Sequence, residues 1–211
     1  IRDKLVTGVQ TCALPILEVF RNFVEDLYNE GDLLATKILA WGYFEGTKPY
    51  TQNWALAYKY MKEYFEMSGD PQAATALGMI NLKGGAHQGV PQLQDAFRDL
   101  IYGSMGGVDE ATFRAADMLM EGRGTVKNID IGLNMLVEGY RNSMASFCAG
   151  RYDSMLAEYA LRMGNACRDG LFYGMNLRDA FKFYLEADFA VKYRMKKVKG
   201  SNSFGRSEEH T

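Results

Sequence analysis

Histidine, proline and cysteine are scarce, at 2, 4 and 3 residues in a chain of 211. So few cysteines cannot build a disulfide framework, and no close Cys or His pairs suggest a zinc site. No stretch approaches the roughly 20 apolar residues of a membrane-spanning helix. Neither sign of charge dominates: 24 Lys+Arg stand against 26 Asp+Glu, for a net charge of −2. Nucleic acid is therefore not expected as a partner. Catalytic signatures are missing as well. There is no G-x4-G-K-[ST], no H-E-x2-H and no G-x-S-x-G, and Gly122-x-Gly124 meets Lys127 where a dinucleotide fingerprint needs a glycine. What is plentiful is apolar side chain, at 47%, with 13% aromatic residues, an ordinary composition for a packed domain.

The two ends stand apart from the rest. Val6 to Ile16 resembles the translation of a sequencing-library adapter, with Ile1 to Asp3 as flanking primer and Lys4-Leu5 as an index. Arg206 to Thr211 resembles the same adapter read from the other strand. On this reading 1–16 and 206–211 are not native and make few specific contacts, and 200–211 is a disordered tail. The chain is then a metagenomic fragment whose natural termini lie elsewhere, so its compartment is left open. Cys12 and His210 leave the inventory with the ends.

Between the ends the chain repeats itself. Gly46, Gly84 and Gly122 stand 38 residues apart, as do Gly31, Gly69 and Gly107, and Ala35, Ala73 and Ala111. A period of this length marks an array of supersecondary units, none of which can bury its apolar face alone. Each unit reads as helix, loop, helix. Asp32, Asp70 and, slipped by one, Asp109 are expected as N-caps, with Gly46, Gly84 and Gly122 at helix ends. The second helices carry a small residue and then a stripe at helical spacing, starting at Ala57, Ala96, Gly132 and Ala180. The units expected are a partial one at about 17–30, then 31–68, 69–106, 107–148 and a degenerate 149–199. In the last, 149–163 supplies a first helix ending near Gly164. A longer loop through Asn165 to Met175 then shifts the register, since Gly132 and Ala180 are 48 residues apart.

The string A-x3-L-G-x2-Y-x2-G, a Gly-bearing loop and A-x2-(aromatic) resembles the Sel1-like repeat family, relatives of tetratricopeptide repeats. The best copy is 70–106, DPQAATALGMINLKGGAHQGVPQLQDAFRDLIYGSMG. Departures are Asn81 and Leu119 at the tyrosine position and the missing loop glycine in the first unit. The resemblance implies an all-α fold, a right-handed α-solenoid of stacked antiparallel helix pairs. It also implies a non-catalytic scaffold or adaptor that holds a protein or peptide in its concave groove, with no cofactor and no metal. Some secreted relatives bridge cysteines on neighbouring helices within each unit; here the first two units have none. A regulatory or substrate-recruiting arm of a larger enzyme or signalling protein is the alternative.

One face of the first helices holds Lys37, Trp41 and Glu45, then Thr75, Met79 and Lys83, then Phe113, Asp117 and Glu121, each set 38 residues on from the last. If the first helices line the groove, Trp41, Met79 and Phe113 are its apolar anchors and Lys37, Glu45, Lys83, Asp117 and Glu121 its polar contacts. The competing reading packs these side chains against loops or the next unit, as aromatic stripes usually do. Cys148 reads as a small core residue, and His87 as an exposed loop residue. The basic run from Lys192 to Lys199 reads as a solvated helix end.

Overall fold

The computed structural model describes residues 3–151, 155–172 and 174–204, with side chains described between Ile16 and Lys196. Among the described residues there are nine helices and no strand. They are α1 (Asp3–Asn29), α2 (Leu33–Glu45), α3 (Trp54–Ser68), α4 (Pro71–Lys83), α5 (Leu93–Met105), α6 (Asp109–Glu121), α7 (Ile129–Cys148), α8 (Leu156–Arg168) and α9 (Leu177–Phe204).

Local chemistry accounts for the helix ends. Asp32 and Asp70 are extended N-caps whose carboxylates accept from the amides of Ala35 and Gln72. Each relieves a donor that the first helical turn leaves unpaired. Asn53 and Asn128 do the same for α3 and α7. The expected cap Asp109 is instead the first residue of α6 itself, where its charge still faces the helix dipole. Gly46, Gly84 and Gly122 all close helices with φ between 65° and 76°, a conformation cheap only for glycine.

The chain divides into two compact units, Ile1–Ala111 with Arg123–Thr125, and Thr112–Gly122 with Val126–Thr211. In the first, α1 to α5 pack as neighbours in sequence. Val24, Ala35, Leu39 and Tyr50 form one core, and Ala40, Met61, Tyr64, Ala73, Ala76 and Leu77 another. The small residues are what permit close approach. A Cβ on Gly78 would stand 2.7 Å from Leu100 Cγ and 3.2 Å from the carbonyl oxygen of Ala96. In the second unit α7, α8 and α9 enclose a core of Leu133, Leu136, Met155, Tyr159, Met163 and Ala166, to which α6 adds Phe113, Ala116 and Met120.

Two expectations are corrected. The backbone of α9 carries helix through 200–204 of the expected disordered tail, and at the other end the backbone of the adapter-like segment is helical from Asp3. A helix nucleated by a packed half extends at little cost per residue. Segment 206–211 lies outside the described residues. The last unit is also not degenerate in the manner expected. Helix α8 begins at Leu156, passes through Gly164 and ends at Arg168, so most of the supposed loop is helix. Gly164 packs under the ring of Tyr184 and the carbonyl oxygen of Ala180, as Gly78 packs under Leu100 and Ala96. The glycine that closes this unit's first helix with positive φ is Gly170. The extra residues lie ahead of this unit, in a 20-residue α7 and the segment from Ala149 to Met155.

Candidate functional site

The nine residues of the first-helix face fall on α2, α4 and α6. On α2 Lys37 and Glu45 are exposed, and Trp41 is half-buried against the core around Ala40 and Leu77. Its ring meets Phe44 edge-on with centroids 5.6 Å apart, and Phe44 meets Trp54 the same way. Two lysines lie over aromatic rings: Lys37 Nζ is 5.7 Å from the centre of Tyr64, and Lys83 Nζ is 5.1 Å from Trp54. Such contacts hold a charge above a ring face without burying it. On α4 Met79 is half-buried and Lys83 exposed, while Thr75 is buried and donates to the carbonyl oxygen of Pro71. In the first unit, then, Trp41, Met79 and Phe44 present apolar surface beside Lys37, Glu45 and Lys83.

On α6 the picture differs. Phe113 is 9% exposed and packs in the core, its ring edge-on to Tyr159 at 5.4 Å. It cannot present its ring to a partner, so of the two readings for this face, packing is what Phe113 shows. Asp117 is mostly covered and accepts from Arg162 Nε of α8. Glu121 is exposed at the end of α6.

Several features were not legible in advance. The Arg162–Asp117 pair joins residues 45 apart in sequence. Cys148, expected in the core, is exposed; Cys167 is buried and its thiol is pushed up by burial, which keeps it neutral. His87 packs edge-on to Tyr58 at 5.4 Å. Of the basic run, Lys192 pairs with Asp188, and Arg194 with Glu158 at 3.2 Å.

Within the second unit a cavity of about 620 Å³ opens among α7, α8 and α9. Tyr140, Met163, Cys167, Phe172, Met175 and Phe183 supply its apolar wall, and Asn176, Asp179, Lys182 and Glu186 its polar one. The Tyr140 hydroxyl donates to Glu186 Oε2 at 2.7 Å. Burial, and then this bond to a carboxylate, push the phenol well above its usual range. Among the described residues no cluster of three His, Cys, Asp or Glu could hold a metal ion, and no helix is long and apolar enough to cross a membrane.

No family model matches the chain, and neither does any curated protein. Solved structures do. A Sel1 repeat protein from Oxalobacter formigenes superposes with a TM-score of 0.57 over 79% of this chain at 18% identity. A protective antigen of uropathogenic Escherichia coli strains, displaying an SLR fold, superposes with a TM-score of 0.51 over 79% of this chain at 16% identity. The chain spans 61% of the first structure and 40% of the second. At such identity the likeness establishes an all-α helical repeat fold of the Sel1-like kind.

Proposed function

From a Sel1-like repeat fold as premise, we propose that this chain is a non-catalytic interaction scaffold that binds a peptide or protein segment on the face that α2 and α4 present in the first unit. The observation that carries the reading is Trp41. A half-buried indole wedged against Phe44 is already ordered, so a partner that covers it gains contact area at little entropic cost. Met79 extends the apolar strip, and Lys37, Glu45 and Lys83 supply a polar rim of mixed sign. Asp117 and Glu121 hold the same register on α6 but belong to the second unit, where Asp117 is engaged by Arg162, and the proposed face does not include them.

The test is selection of peptides from a random library on the folded chain, followed by calorimetric titration. Trp41→Ala is expected to weaken a selected peptide by about tenfold or more, as loss of a central aromatic anchor does. Met79→Ala should weaken it less, and Glu45→Lys should change its charge preference. Selected peptides that bind Trp41→Ala and Met79→Ala as well as the unaltered chain would place recognition elsewhere.

A second reading, an arm of a larger enzyme or signalling protein, is favoured by two bare apolar stripes. Val19, Phe20 and Phe23 are exposed on α1, and Leu177, Phe181, Leu185 and Phe189 on α9. Phe23 holds the register position of Met61, which is fully buried in α3. Phe181 holds that of Leu133, which α8 helps to cover on α7. Both stripes suit a further helix of the repeat type. A longer reading frame of the same locus, carrying more repeats or a catalytic domain, is the observation that decides it.

A further inference from the structure

The two compact units contain the same aromatic and carboxylate constellation, and it is occupied differently in each. In the first unit Tyr28 of α1 donates to Glu63 Oε2 of α3 at 2.7 Å and meets Tyr60 edge-on at 5.0 Å. In the second, Tyr140 of α7 donates to Glu186 Oε2 of α9 at 2.7 Å and meets Phe183 edge-on at 5.3 Å. Counted from the small residues Ala57 and Ala180, Tyr60 matches Phe183 and Glu63 matches Glu186. The lysine two residues after each small residue also matches, Lys59 with Lys182.

In the first unit that lysine fills the constellation. Lys59 Nζ lies 4.9 Å from the centre of the Tyr60 ring and 5.6 Å from that of Tyr28. An ammonium there gains from two ring faces at once, and the Glu63 carboxylate is bonded to the hydroxyl of one of those rings. In the second unit Asp179 stands where the first has Leu56, and it holds Lys182 Nζ at 3.0 Å. Among the described residues no cation lies over Tyr140 or Phe183. Those rings instead border the cavity of about 620 Å³, which Phe172, Met163 and Met175 widen. The Asp179 charge is matched by Lys182 and Asn176, which leaves the Glu186 carboxylate as the uncompensated charge of the wall.

We propose that this cavity binds an alkylammonium group, which takes the place over Tyr140 and Phe183, beside Glu186, that Lys59 takes in the first unit. The ammonium comes either from a free amine or from the lysine side chain of a bound peptide. The site is separate from the Trp41 face and does not depend on it.

The experiment uses the full chain with ¹³C-methyl-labelled methionine, since Met163 and Met175 line the cavity and report on its contents. The probes are n-butylammonium chloride, the peptide acetyl-Gly-Lys-Gly-amide, and n-butanol as the uncharged isostere. Butylammonium or the lysine peptide should shift the Met163 and Met175 methyl signals saturably, and butanol should not. Equal affinity for the first two assigns the site to free amines; a peptide about tenfold tighter assigns it to a partner's lysine. Glu186→Gln should weaken binding about tenfold. Asp179→Leu should weaken it as well, because Lys182 is released to fill the rings itself. The double variant Asp179→Leu with Lys182→Met should restore it. Shifts as large with butanol as with butylammonium overturn the proposal, as does binding that ignores Glu186→Gln or stays lost in the double variant.

Discussion

Lys37, Thr75 and Phe113 hold one position of the repeat, yet the first is exposed and the other two are buried. Their chemistry agrees with their surroundings in each case: a charge over a ring face, a hydroxyl returned to its own helix, and a phenyl ring against Tyr159. Phe113→Ala should therefore act on stability rather than on recognition. A loss of roughly 3–5 kcal/mol is expected in urea unfolding followed by circular dichroism, the usual cost of truncating a core phenylalanine. A second residue-scale effect concerns Asp99. Burial pushes its carboxyl above the ordinary range, with Arg98 pulling the other way. The folded state thus favours the protonated form, and the contribution of Asp99 to stability is lost as pH rises through its folded pKa. Asp99 also accepts from Asn81 Nδ2 at 3.1 Å, while the buried Asn81 Oδ1 has no donor. Asp99→Asn places an amide donor there and removes the buried charge. It should raise stability at pH 7, and the gain should shrink on acidification towards the ordinary carboxylate range. Equal or lower stability of the variant in urea unfolding at pH 7 would contradict this. Such facts are illegible in sequence, because they depend on Asn81 and Asp99 meeting across two helices.

At the scale of the element, capping was largely readable and one register was not. Asp32 and Asp70 cap as their spacing suggested. Asp70 also accepts from the Tyr64 hydroxyl at 3.0 Å, tying the start of α4 to α3. Asp70→Ala should cost about 1–2 kcal/mol, towards the upper end for a cap because two bonds are lost. Asp32→Ala, losing the cap bond alone, should cost less; thermal unfolding of both variants makes the comparison. The misread element was α8. Gly164 invited alignment with the helix-ending glycines because it follows a small-residue stripe. Only the packing against Tyr184 and Ala180 shows it to be an internal contact glycine, with Gly170 closing the helix. A glycine required for close approach and one required for positive φ are the same letter, and only their neighbours distinguish them.

For the whole molecule, the 38-residue period carried the fold class, since three coincident small-residue spacings have no simple origin but stacked helix pairs. The partition into two compact units, with its boundary inside α6, had no such signature. Nor did the cavity of the second unit, which arises where α7 and α9 meet through Tyr140, Phe183 and Glu186. The bare stripes of α1 and α9 have a measurable effect. Leu185 and Phe23 are 53% and 59% exposed, so Leu185→Lys and Phe23→Lys should leave the melting temperature nearly unchanged. Both should raise the concentration at which light scattering detects association, because exposed apolar patches of this kind drive it.

The lengthened α7 and the segment that follows it show where this architecture accepts new material. The chain gains 10 residues between Gly132 and Ala180 relative to its usual spacing, yet Gly164 and Ala180 still meet as Gly78 and Ala96 do. The seam between successive hairpins is thus permissive in length, although it too opens on a positive-φ glycine, Gly150 here as Gly69 and Gly107 are before it. An epitope or reporter spliced after Arg151, beyond the turn in which Ala149, Gly150 and Arg151 close α7, should ride on the molecule without disturbing either neighbour.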